Sequence, residues 1–120
     1  MSKMRTELLK VIEIPTYVNL MANATDDKTI EIYNDRIRIF GTNEYVEWAF
    51  ENCKGIMLKK DRLNRVQSIK FIMKKGVIKQ CCEDRIDFER PDKEHCEVFQ
   101  QFANGLFSEF EQAFNRYKNR

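Results

Sequence analysis

The last thirty residues carry one continuous apolar face, and few folds can use it. Advancing about 100° per residue from Phe99, the side chains of Phe102, Ala103, Leu106, Phe107, Phe110, Ala113, Phe114 and Tyr117 fall within an arc of roughly 140°. Pro91 and Asp92 supply a start and an N-cap. Glu94 and Glu97 put negative charge in the first turns, and Arg116, Lys118 and Arg120 put positive charge in the last, as the helix dipole favours. The spacing predicts a helix over about 92–118. Asn104-Gly105 reads as a C-terminal stop and Ser108 with Glu111 as a fresh capping box, so a break there competes with continuity. Continuity is favoured because the apolar arc keeps its phase through Leu106 and Phe107. An interior glycine costs about 1 kcal/mol, and burying each phenylalanine gains about 1.5–3 kcal/mol.

Everything upstream reads as short strands. Ile12, Ile14, Thr16, Val18 and Leu20 alternate, although Pro15 requires an edge or a bulge, and a helix over 3–13 is the rival reading. Ile30 and Ile32, then Ile37 and Ile39, flank Asn34-Asp35 as a tight hairpin, after the polar turn of residues 23–28. After Gly41-Thr42-Asn43, Val46, Trp48 and Phe50 share one face, with Trp48 as a core anchor, and Ile56 and Leu58 continue beyond a short turn. Residues 59–65 form a polar loop. Ile69, Phe71 and Met73 precede the Lys75-Gly76 turn, and Ile78, Gln80, Cys82, Ile86 and Phe88 form the return strand.

At 120 residues the chain is expected to be one α+β domain over 1–120, large enough for a core without disulfides or metal. Its 21 basic and 19 acidic residues leave +2, too little for a chain devoted to nucleic acid or to an anionic membrane as a whole. No apolar run approaches the roughly 18 residues of a membrane span, and residues 1–10 hold no signal-peptide core, so a cytoplasmic address with reduced cysteines is expected.

Strands at 30–40, 45–58, 66–74 and 77–89, followed by Pro91-Asp92-Lys93 and an aromatic-faced helix, resemble the bacterial pleckstrin-homology-like and GRAM-like domains. The resemblance covers about residues 9–106. It implies two nearly perpendicular antiparallel sheets forming a small barrel plugged at one end by the C-terminal helix through Phe99, Phe102 and Leu106. Residues 15–20, 33–36 and 45–48 are also similar to the pattern of a small family encoded beside mannose phosphotransferase genes in Gram-positive bacteria. That family has no established catalytic residues to carry over.

The chemistry-bearing residues point away from catalysis. His95 and Cys96 with Cys53, Cys81 and Cys82 are of zinc-ligand type, but adjacent strand cysteines point to opposite faces and no CxxC pair exists. His95 and Cys96 are helix neighbours and cannot face each other, so an enzyme built on His95 with a cysteine or carboxylate is the minor alternative. Asp84, Asp87, Glu89 and Glu83 cluster near the last strand, with Asp87 and Glu89 sent outward. No metal, cofactor or phosphate loop is expected.

Two surfaces remain as binding candidates. Lys59, Lys60, Arg62 and Arg65, joined by Lys74, Lys75 and Lys79, offer a basic patch for anionic lipid or nucleic acid, diluted by Asp61 and lacking interleaved aromatics. From Lys93 to Lys118 the helix runs about 39 Å, twice a strand of five or six residues, so Phe107, Phe110, Phe114 and Tyr117 are expected to overhang. Their cover is either the N-terminal segment, through Met4, Leu8, Leu9, Val11 and Ile12, or a second molecule. The leading expectation is therefore a non-catalytic interaction module that self-associates through this helix, with peripheral membrane contact as an accessory and nucleic acid disfavoured.

Overall fold

The computed structural model describes residues 5–21, 29–41, 45–76 and 84–119. Met4, the 23–28 turn, Thr42, Asn43, Ile78, Lys79, Gln80, Cys81, Cys82, Glu83 and Arg120 lie outside the described residues. Among the described residues, eight strands form two antiparallel four-stranded sheets, and one long helix follows. The first sheet has the order β1(Leu8–Glu13), β3(Thr29–Tyr33), β4(Arg36–Phe40), β5(Tyr45–Ala49). The second has the order β2(Leu20–Met21), β8(Arg85–Phe88), β7(Val66–Met73), β6(Cys53–Lys60). This is the arrangement of two antiparallel sheets and a C-terminal helix that the family resemblance implied.

Residues 8–13 are a strand, not a helix. Pro15, which has no N–H for a ladder, marks where the chain leaves one sheet for the other: Val18 N donates to Pro15 O at 3.0 Å, and β2 then joins the second sheet. A 3-10 turn at Phe50–Asn52 makes the same transfer between β5 and β6. The Asn34-Asp35 hairpin sets Ile32 opposite Ile37 and Ile30 opposite Ile39, so all four isoleucines point inward and are buried. The Trp48 indole stacks on the Phe71 ring at 4.5 Å and 10°, joining the inner faces of the two sheets.

The helix α1(Cys96–Lys118) is uninterrupted and is preceded by a 3-10 turn at Lys93–His95. Asp92 caps through its backbone, not its carboxylate: its carbonyl accepts from His95 N at 2.9 Å. Gly105 is exposed mid-helix. Ser108 is no cap, its hydroxyl instead accepting from Gln112 Nε2 one turn on at 3.2 Å.

The overhang expected of the distal helix does not occur. Phe110 and Phe114 are buried in the chain's own core, and Phe107 and Tyr117 are half-buried against it. The strands that α1 packs against, β6 and β7, are each of eight residues and about 26 Å long, not five or six residues. Aromatic contacts follow α1 along that length: Phe99 edge-on to Phe88 at 5.6 Å, Phe110 to Phe71 at 6.0 Å, Phe114 edge-on to Phe50 at 5.4 Å, and Tyr117 to Phe50 at 5.7 Å. Phe50, carried by the 3-10 turn at the sheet corner, is the cover. Leu8, Leu9 and Val11 stay exposed and form no lid, whereas Ile12 is half-buried against the core; β1 also meets the helix through an exposed Lys10–Glu109 ion pair at 2.9 Å.

Candidate functional site

The tip of the β6–β7 hairpin is built around one carboxylate. Asp61 Oδ1 accepts from Leu63 N at 2.9 Å and Arg65 N at 3.0 Å, and Oδ2 accepts from Arg65 Nε at 2.9 Å. Asp61 N donates to Arg65 O and Asn64 N to Asp61 O, closing the loop with Asn64 in the left-handed region at φ 63°, which asparagine tolerates. The hydrogen bond from the Arg65 backbone N–H, joined by the Arg65 guanidinium and Leu63 N–H, holds the Asp61 carboxyl below the usual carboxylate range. Val66 N donates to Gln100 Oε1 at 2.9 Å, tying the base of the tip to α1.

This scaffold sorts the basic residues that the sequence groups together. Arg65 is turned inward onto Asp61, whereas Lys59, Lys60 and Arg62 are exposed. Lys74 and Lys75 do not join them: they follow the far end of β7, where Lys74 N donates to Asn52 O. Leu63 stands at the apex with 68% of its surface exposed, the highest among the described large hydrophobics. Sequence reasoning passed over it. The available signal was a lone leucine in an otherwise polar loop, a place where burial cannot explain an apolar side chain.

The two arginines of β4 are already paired. On the outer face of the first sheet the Arg38 guanidinium lies 5.1 Å from both the Tyr33 and Tyr45 ring centroids, and its Nε donates to Glu47 at 2.6 Å. Arg36 pairs with Asp35 at 3.0 Å and Glu47 at 3.5 Å. The Tyr33 hydroxyl donates to Glu31, which raises its pKa by favouring the protonated form.

Of the residues of the enzyme alternative, His95 and Cys53 lie at opposite ends of α1, and the carboxylates near His95 are exposed. The His95 ring stacks on Tyr17 at 5.6 Å and 5°, near the start of α1. Cys53 follows the 3-10 turn that carries Phe50, against the far end of α1, and its thiol donates to Ala49 O at 3.4 Å. Burial pushes that thiol up to about 11 and away from nucleophilic thiolate chemistry. Cys96 donates to Asp92 O at 3.5 Å. Asp92, Glu94 and His95 bring ligand-type atoms within 4.8 Å of one another, but both carboxylates are exposed, a common arrangement at a helix start. Asp87 pairs with Arg85 at 3.3 Å. Among the described residues, no helix is long and apolar enough to cross a membrane.

No protein-family model matches the chain, and no curated protein matches its sequence. Its structure is similar to the Vps36 N-terminal PH domain, with a TM-score of 0.51 and 10% sequence identity over 100% of this chain and 87% of that one. At that identity the likeness concerns the fold alone: the architecture is pleckstrin-homology-like.

Proposed function

We propose that the protein is a non-catalytic interaction module that docks on an anionic membrane surface through the tip of its β6–β7 hairpin. The observation that carries this reading is the tip itself, where an exposed leucine is held at the apex of a hydrogen-bonded loop, flanked by Lys59, Lys60 and Arg62. An anionic surface attracts the three cations, each contributing about 1 kcal/mol near the headgroups, and the acyl boundary receives Leu63. A fixed loop orders nothing further on binding. The likeness of residues 15–20, 33–36 and 45–48 to a family encoded beside a membrane transport system is compatible with such a surface. Self-association through α1 is not part of this reading, because Phe110 and Phe114 are buried within the chain.

The test is co-sedimentation with vesicles of neutral lipid alone or with added phosphatidylserine. Binding is expected only to the anionic vesicles and to fall steeply with salt. Together Lys59→Glu, Lys60→Glu and Arg62→Glu should weaken it by on the order of a hundredfold or more, from about 1 kcal/mol per lost cation. Unchanged vesicle binding in that triple variant would overturn the reading. Salt-dependent binding to an RNA oligonucleotide with none to vesicles would replace it by the nucleic-acid alternative.

A further inference from the structure

A cavity of about 220 Å³ lies where the hairpin tip, the end of β8 and the start of α1 meet. Its apolar wall is made by Val66, Phe88 and Phe99, the last two packed edge to face. Four charged residues line it, and they divide into two kinds. Asp61 and Arg65 satisfy each other. Glu89 and Arg90 are exposed, and neither side chain makes an ion pair or hydrogen bond to another described residue.

We infer that this cavity binds a free apolar amino acid. The unspent charges are one cation and one anion, adjacent in the chain and beside an aromatic wall, so the ligand that answers them carries a carboxylate, an ammonium and a short apolar group. Arg90 takes the carboxylate, as a guanidinium fork is suited to do, and Glu89 takes the ammonium. Phe88 and Phe99 receive the side chain. A purely anionic ligand would leave Glu89 opposed to it, and a purely cationic one would leave Arg90 so. The volume is below the roughly 300 Å³ where sites for drug-sized ligands begin, which limits the occupant to about one amino acid. This inference does not depend on membrane docking.

Cys96 lines the same cavity and reports its occupancy. L-leucine should slow iodoacetamide alkylation of Cys96 saturably in native wild-type protein, read by peptide-resolved mass spectrometry, while buried Cys53 stays unaffected as an internal control. N-acetyl-leucine lacks the ammonium and leucinamide the carboxylate; each should protect weakly. Arg90→Gln and Glu89→Gln, both at exposed positions, should each weaken protection by leucine by about tenfold to a hundredfold, the worth of one charge-assisted hydrogen bond. Absence of protection by leucine overturns the inference, and so does equal protection by either analogue or in either variant. Vesicle binding by a protein that leucine fails to protect would remove this site and leave the membrane reading standing.

Discussion

Phe110→Ala separates a structural stripe from an interface. Phe110 is fully buried, with its ring 6.0 Å from that of Phe71, which in turn stacks on Trp48. Truncation removes a ring from the junction of both sheets and the helix, and Phe→Ala at such sites costs about 3–5 kcal/mol. Domains of this size hold roughly 5–15 kcal/mol, so the variant loses a large share of its stability. With a urea slope of about 1.5 kcal/mol/M, a loss of about 4 kcal/mol lowers the midpoint by about 2.7 M. Trp48, the chain's single tryptophan and almost fully buried, gives the signal by fluorescence. Phe107→Ala, at a half-buried position on the same helix, should cost less than half as much. Neither variant should alter mass in sedimentation velocity. A loss under about 1 kcal/mol for Phe110→Ala would refute the packing argument, as would a wild-type midpoint that rises with protein concentration and ceases to do so in Phe110→Ala.

Gly105→Ala should raise stability by about 0.4–1 kcal/mol in the same urea titration, because the glycine is helical and exposed and an added Cβ meets nothing within 4 Å. A destabilised variant would show that the chain needs the break it lacks here. Asp61 supports its loop only as a carboxylate: its folded pKa is depressed below the ordinary aspartate value, so the contribution is present above that ordinary value and is lost as pH falls through the lower folded one. Hydrogen exchange at Leu63 and Arg65 should accelerate in Asp61→Ala at neutral pH, with hairpin strands β6 and β7 still protected, and unchanged exchange would sink this account of the tip.

What could be read from the sequence was what periodicity encodes. The isoleucine alternation of β3 and β4, the inward Trp48 and the unbroken phase of α1 are local patterns, and each survives into the structure because burial on one face enforces it. What could not be read depended on where elements cross. Pro15 was legible as a disruption, but that it marks the passage between two sheets is a property of both sheets together. The cover of Phe114 and Tyr117 comes from Phe50, more than sixty positions away on a turn with no periodic signature. At the hairpin tip, residue type grouped Arg65 with Lys59, Lys60 and Arg62; only the Asp61 hydrogen bonds reveal that Arg65 is spent on the scaffold.

Once the helix is accounted for as core, the two ends of the barrel are no longer equivalent. At the C-terminal end of α1, Phe50, Phe114 and Tyr117 close the apolar interior. At its N-terminal end the cavity wall and the hairpin tip share Asp61 and Arg65, and the Val66 to Gln100 hydrogen bond fixes the tip to the first turns of the helix. On the readings proposed above, a ligand in the cavity and a surface under the tip would bear on the same few residues. The Asp61 carboxylate already holds both Arg65 and Leu63 without a ligand, so occupancy of the cavity has nothing further to order at the apex. A tip already fixed in this way predicts no positive coupling: leucine should leave vesicle binding of the wild type unchanged, whereas weaker vesicle binding with leucine present would mean that the two ligands compete for this end of the barrel.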